Sequence, residues 1–363
     1  MSWLKQRAAP LLITGASAAV GGTIYQTSKP TTPSNASLNP HTFTPYTLVD
    51  KQTVSPTSAI FTLRNTNATT DSESVKQVQK RSIWSVQIKQ PQLQIARAYT
   101  PLPPAPAQQP KDDTPQDMRL LIRHETAGEV STYLHALPAH ATLEVRGPNT
   151  EFQLPRDIIE VLFLAGGTGI APAMQVAQAL GRRTGSRMEI LWANRRREEC
   201  VGGVSDARVE SALERMRVGW ARSLFGGGGG SSRGSETDDG VVVQTQRGPP
   251  DDEQQTKGIL VRELEALKMR SGAATRGLRV DYFVDEEGEF IRPADVESRI
   301  RRRRPHEETT AVAGSKLVIV SGPEGFIEYW AGKKVWAGGR EVQGPLGGQL
   351  AKMDLGEWKV VKL

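Results

Sequence analysis

From Phe43 to Asn65 (FTPYTLVDKQTVSPTSAIFTLRN) apolar and polar residues alternate. That period-two pattern predicts half-buried strands, with turn residues at Asp50 and at Ser55-Pro56. Residues 66–80 are polar and predict a surface loop. Ile83–Ile88, Leu93–Tyr99, Met118–His124 and Thr142–Arg146 predict further short strands, interrupted by the proline-rich Pro101–Pro115. Many short strands separated by turns predict an antiparallel β-barrel. The pattern changes near Leu154. Ile158–Ala165 (IIEVLFLA) is apolar without alternation, as expected of a strand buried on both faces. A glycine-rich turn, a helix over Pro172–Leu180 and a second buried strand over Met188–Ala193 follow. That order implies a parallel sheet. Residues 207–222 and Ile259–Met269 read as helices, Leu278–Val284 and Lys316–Val320 as further strands. The expected architecture is a β-barrel domain over 42–155 and an α/β parallel-sheet domain over 156–363. Between 225 and 257, glycines and then Ser, Asp and Gln in bulk predict a disordered insertion, because such a composition buries too little apolar surface to fold.

Composition narrows the chemistry. One cysteine, Cys200, among 363 residues excludes an internal disulfide, a CxxC redox pair and a Cys-ligated cluster. The five histidines, His41, His124, His135, His140 and His306, lack the i, i+4 spacing around a carboxylate, so no metal site is expected. Electrons, if this chain moves them, ride on a bound organic cofactor or haem. The net charge of +6 is concentrated in part at Arg299–Arg304, a run that reads as a solvated loop or as a docking patch for an acidic partner. Nucleic acid is not an expected partner.

Three motifs stand out. Arg97-Ala98-Tyr99-Thr100 ends a strand, and Arg97 and Tyr99, at i and i+2, point to one side. A cation, an aromatic face and a hydroxyl suit a planar ring carrying phosphates, though an ordinary strand end reads the same way. Gly128-Glu129-Val130-Ser131 leads into a short helix with Ser131 as candidate N-cap. Free N–H groups at such a start bind phosphate, or the serine is only a cap. Gly166-Gly167-Thr168-Gly169-Ile170-Ala171-Pro172 follows the buried strand and opens a helix with Pro172 in its first turn. Glycines there allow a sharp turn and close approach of a pyrophosphate. This is neither GxGxxG nor a P-loop.

RxYT, GxVS, Arg146-Gly147-Pro148 and GGTGIAP, in this order and spacing, resemble the ferredoxin–NADP reductase superfamily, close to the cytochrome b5 reductases. The resemblance covers about residues 42 to 363 without the insertion. It implies a six-stranded flavin barrel, a nucleotide-binding domain, FAD and NAD(P)H. By it Arg97 neutralises the FAD pyrophosphate, Tyr99 packs on the isoalloxazine, and Thr100 lies near the flavin N5. Gly128, Val130 and Ser131 hold the pyrophosphate. Gly166, Gly167, Thr168 and Gly169, with Gly322 and Pro323, line the nicotinamide nucleotide site. Ser321 stands where this family usually has a cysteine beside the nicotinamide, and the final KVVKL lacks the aromatic that often shields the flavin.

No Asp or Glu precedes Asp50, and the stretch Ala8–Gln26, about 19 residues, carries no charge. This reads as a mitochondrial signal combined with one helical membrane anchor, followed by a linker to residue 41. A secretory signal and an Ala-rich leader without a membrane role are the alternatives. Together with the Ser321 departure and the insertion, the leader resembles a branch of mitochondrial inner-membrane flavoproteins that assist haem attachment to cytochrome c. That likeness implies haem or cytochrome c as partner, on the intermembrane-space side. An NADH–cytochrome b5 reductase is the second reading. A non-enzymatic cytochrome c assembly factor keeping the fold is the third.

Overall fold

The computed structural model describes residues 37–67, 70–105, 117–181, 183, 185–225, 257–270, 277–302 and 315–363, with the side chains of 216–225 and of residue 340 left aside. The expected leader and anchor, most of the expected insertion, and Arg303 and Arg304 lie outside the described residues. Among the described residues, no helix is long and apolar enough to cross a membrane.

Alternation builds the first lobe. Strands β1 (Thr44–Ser55) and β2 (Ser58–Asn65) form an antiparallel hairpin, with Pro56 and Thr57 at its turn. Thr44, Tyr46 and Leu48 of β1 face inward. Asp50 is not a turn. The strand runs through it, and the register shift between Leu48 and Asp50 is a bulge that absorbs the polar residue without breaking the ladder. The expected loop over 66–80 contains helix α1 (Glu73–Arg81), whose N-cap Ser72 accepts from the Val75 amide. Polarity misled the reading: only Val75 of this helix is buried.

Strands β3 (Ser82–Gln90), β4 (Ile95–Tyr99), β5 (Pro101–Leu102), β6 (Met118–Arg123) and β7 (Thr142–Gln153) complete a seven-stranded sheet in the order β4-β3-β7-β1-β2-β6-β5. The two outermost strands, β4 and β5, are separated in sequence by Thr100 alone. The sheet must therefore curl until its edges meet there, and β4 and β5 together act as one strand of a six-strand barrel. Helix α2 (Glu129–Ala136) packs on β3 and β4 and delivers Val130 and Leu134 to the barrel core. Leu38, at the end of the expected linker, is also buried in that core.

In the second lobe, β8 (Glu160–Gly166), β9 (Arg187–Asn194), β10 (Leu278–Val284), β11 (Lys316–Ser321) and β14 (Trp358–Lys362) are all parallel, in the order β10-β9-β8-β11-β14. Between them lie helices α3 (Ile170–Leu180), α4 (Asp206–Phe225), α5 (Ile259–Arg270), α6 (Pro293–Ile300) and α7 (Glu324–Ala331), and a hairpin of β12 (Val335–Ala337) and β13 (Arg340–Val342). Every residue of β8 is buried, as its unbroken apolar run requires. Val161, Phe163 and Ala165 join one core with α3 and α5; Leu162 and Leu164 join another with α6 and α7. Strand order reverses between β8 and β11, so a crevice opens at their carboxyl ends, where open α/β sheets bind ligands.

The arginine run is not simply a loop. Arg299 lies on α6, 2.5 Å from Asp281 and 3.2 Å from Glu189, with Arg302 also on Glu189. Carboxylates on β9 and β10 face α6, so Arg299 clamps the helix to the sheet, while Arg301 and Arg302 stay exposed to solvent.

Candidate functional site

Two sets of residues meet where the lobes join. On the barrel, Arg97 and Tyr99 sit on β4, opposite Ile88 and Val86 of β3. Arg97 is exposed, and its guanidinium faces no carboxylate among the described residues. Tyr99 is half-buried against the barrel core. Burial pushes its hydroxyl up to about 12, while the Arg97 charge pulls the other way. Thr100 lies at the barrel seam.

Helix α2 packs against β4, the strand that carries Arg97 and Tyr99. Here the structure corrects one assignment. Gly128, not Ser131, is the N-cap, and it makes no side-chain cap bond. Ser131 lies within the first turn; its Oγ accepts from the Glu125 amide (3.1 Å) and donates to the Gly128 carbonyl (3.0 Å), closing the loop onto the helix. A Cβ at Gly128 would come 2.7 Å from that Oγ, which is why glycine holds the position. Val130 buries its side chain and offers only its backbone. With no side chain on the cap, the first-turn amides of α2 are left for a ligand.

These residues fit an FAD: a cation without a carboxylate, an aromatic face, and helix-start donors for a diphosphate. An aromatic stack contributes about 0.5–1.5 kcal/mol beyond burial. Each charge-assisted phosphate bond adds about 1.5–3 kcal/mol. The phosphate contacts therefore outweigh the ring contact in holding the group.

In the second lobe, Gly167–Gly169 form a 3₁₀ turn that runs into α3 at Ile170, two residues before the expected start. Gly167 has φ +52°, a left-handed conformation that glycine tolerates. Its carbonyl accepts from the Trp192 indole at 2.9 Å. Ser321 ends β11, and the loop after it presses on the loop after β8. A Cβ at Gly322 would stand 3.0 Å from the Gly166 Cα, and one at Gly169 would be driven into the Ser321 carbonyl oxygen. The structure thus brings together Gly166, Gly167, Thr168, Gly169, Ser321, Gly322 and Pro323 at the switch point between β8 and β11. The glycines are needed first so that the two loops touch. Pro323 starts α7.

Several residues at this junction carry no local sequence signal. Arg123, at the end of β6, pairs with buried Glu199 and lies 3.2 Å from where a Gly167 Cβ would be. The barrel strand next to the Gly128 loop thereby abuts the glycine turn. Phe326 lays its ring 2.9 Å from a Cβ position on Gly166. Of the Arg195–Arg197 run, Arg197 is held by Glu287 (Nε to Oε1 2.7 Å), while Arg195 and Arg196 remain exposed at the end of β9.

Residues 45–154 match the family model of the oxidoreductase FAD-binding domain. Among curated proteins, a FAD-binding protein of Schizosaccharomyces pombe is 27% identical over 49% of this chain and 63% of its own length. An NADH-cytochrome b5 reductase 1 of Pyricularia oryzae is 30% identical over 30% of this chain and 34% of its own. A cytochrome c mitochondrial import factor of Saccharomyces cerevisiae is 35% identical over 20% of this chain and 22% of its own. The chain thus matches less than two thirds of the length of each. The cytochrome b5 reductase domain of Ulva prolifera nitrate reductase superimposes with a TM-score of 0.49 at 17% identity, over 80% of this chain and 91% of that one. The chain thus carries an oxidoreductase FAD-binding domain over residues 45–154 and is similar, over part of its length, to cytochrome b5 reductases.

Proposed function

We propose that this chain is an NAD(P)H-dependent FAD oxidoreductase whose acceptor is a haem iron, reduced for covalent attachment of the haem to cytochrome c at the mitochondrial inner membrane, facing the intermembrane space. The observation that carries the reductase reading is the contact of Arg123, on the barrel strand beside the Gly128 loop, with Gly167 of the nucleotide turn. Arg97 and the start of α2 would hold one diphosphate, with Tyr99 and Thr100 beside the flavin ring. Gly167–Gly169 would hold a second, with Ser321 beside the nicotinamide. FAD, when bound, supplies a two-electron acceptor able to release electrons singly. The chain's own work is to bind and orient. Arg97 and the α2 amides hold charge, Tyr99 gives an apolar face and stays neutral, and Ser321 offers a hydroxyl where the relatives' pattern has a thiol.

The mitochondrial and haem parts rest on the partial likeness to the yeast import factor. The likeness to NADH-cytochrome b5 reductases supports a second reading, with a cytochrome b5 as acceptor. The test uses the full chain. Yellow protein bleached by NADH or NADPH is the expected result, with faster turnover of haemin than of cytochrome b5. The reverse preference selects the second reading. A colourless protein that still binds cytochrome c selects a non-enzymatic assembly factor.

A further inference from the structure

We propose that Gln175 is a positioning residue that sets the register between the nucleotide turn and the flavin strand, a role that rests on the reductase reading above. Gln175 lies on α3, beyond the glycine turn, and is 8% exposed. Its side-chain amide crosses the lobe junction. Oε1 accepts from the Trp84 amide at 3.0 Å. Nε2 donates to the Pro101 carbonyl at 2.8 Å and to the Trp84 carbonyl at 3.2 Å. Both donor hydrogens and the acceptor are used, and every partner is backbone, which cannot rotate away.

The places it grips are informative. Pro101 directly follows Thr100 at the barrel seam. Trp84 lies two residues before Val86, the cross-strand neighbour of Tyr99. The pairing of β3 with β7 is irregular between Ile83 and Trp84, and Gln175 bonds the main chain there. At its other end, α3 begins at the turn that receives the nucleotide. One rigid helix thus connects Gly167–Gly169 to the main chain flanking Tyr99 and Thr100.

The rest of the junction does not hold α3 by directional contacts, since the Arg123–Glu199 pair joins β6 to the segment after β9. Ile60, Ile83, Leu102 and Leu121 of the barrel pack with Ala171, Met174 and Phe163 in one apolar cluster. Apolar contact holds surfaces together without fixing their register. The Arg119–Glu263 ion pair ties β6 to α5, not to α3. Directional hydrogen bonds from α3 itself are what resist a slide of the glycine turn along the barrel. Hydride transfer needs reacting atoms about 3–3.5 Å apart, and a misplacement of about 1 Å costs roughly 100-fold in rate. The donors and the acceptor of the Gln175 amide are taken by main chain, leaving none for either cofactor, so its removal is expected to act on rate and not on binding.

Two measurements test this. The first needs no cofactor. In protein stripped of flavin, the Trp84 amide of Gln175→Leu exchanges with deuterium about tenfold faster than in the wild type, having lost its acceptor. The second is single-turnover reduction of the bound flavin by NADH. Gln175→Leu keeps its flavin and its nucleotide dissociation constant within about threefold, while the reduction rate falls roughly 10- to 100-fold. Gln175→Glu is the second variant, needed if Gln175→Leu does not fold. Ionised, it sets an acceptor against two carbonyl oxygens. As the pH falls and the carboxyl gains a proton it can donate again, so its reduction rate rises toward the wild-type value, a pH dependence that a merely structural role does not produce. A wild-type flavin reduced by nucleotide, with either folded variant within about twofold of it at all pH values, overturns the positioning role alone. A wild-type flavin that neither NADH nor NADPH reduces overturns the reductase reading and this role with it.

Discussion

At the scale of single residues, the site depends on charge left uncompensated. Arg97 is exposed on β4 and faces no carboxylate among the described residues, which leaves its guanidinium open to an anionic ligand. Arg97→Glu reverses that charge without touching the core. The expected product is a folded protein with near-unchanged far-UV circular dichroism and little bound flavin; a full flavin complement overturns the role given to Arg97. Nucleotide preference is argued at the same scale. Arg197 is engaged by Glu287, whereas Arg195 is exposed and carries its charge toward Asp285, whose carboxyl is raised by burial and lowered by that arginine. Arg195→Glu therefore raises the Michaelis constant for NADPH more than that for NADH, since only NADPH brings a further phosphate. Equal changes would remove Arg195 from the nucleotide site. The cation, the aromatic and the glycine turn were legible as candidates because each chemistry sits on consecutive residues, whereas the cap was read at Ser131 and lies at Gly128. Arg123, Gln175 and Phe326 were not legible. Glu199 is 76 residues from Arg123 and Trp84 is 91 from Gln175, and no local pattern carries such a pairing.

At the scale of elements, periodicity served strands and buried helices well and polar elements badly. β6 and β8 were found nearly whole, because burial forces long apolar runs. Helix α1 was missed, since a nine-residue helix with one buried residue looks like a loop in composition. Its signal was present in Ser72 followed by Glu73, a capping serine and an acid in the first turn. Helix α2 carries a pH-sensitive contact. His135 Nε2 lies 3.2 Å from the Ile122 carbonyl of β6. Burial lowers the His135 pKa from its ordinary 6.5, the Ile122 bond opposes that shift, and His124 and Lys51 add to it. Because the folded value is the lower one, the unfolded chain binds more protons between the two values. The contribution is complete above about 6.5 and is lost as pH falls through the folded value. Urea midpoints of wild type should drop from pH 7.5 to about pH 5, and His135→Gln should show a smaller drop; identical drops would clear His135 of any part in it.

At the scale of the whole molecule, the two lobes are joined by an apolar seam crossed by buried polar bridges. Arg119 and Glu263 are nearly solvent-free at 2.5 Å. Removing one partner of such a pair leaves an uncompensated buried charge and costs about 3–5 kcal/mol, whereas replacing both by apolar side chains is often neutral or better. Arg119→Met should lower the unfolding midpoint sharply, and Arg119→Met combined with Glu263→Leu should recover most of the loss. A double variant as unstable as the single one would show that the pair adds net stability beyond compensating its own burial. The seam also explains why β6 has no alternation: Leu120 and Ile122 enter the barrel core, and Leu121 enters the core of the other lobe.

By itself, the order of alternating and continuous apolar runs determined a barrel followed by a parallel sheet, and glycine placement determined where the chain turns sharply after β8. These are local properties, because burial on one face or two is written in the residues that are buried. Closure of the barrel at Thr100, the transfer of the cap from Ser131 to Gly128, and the meeting of Gly166 with Gly322 were decided only in three dimensions. Each depends on contacts between main-chain segments, and the backbone is the same in every residue, so side-chain pattern alone does not specify which segments meet.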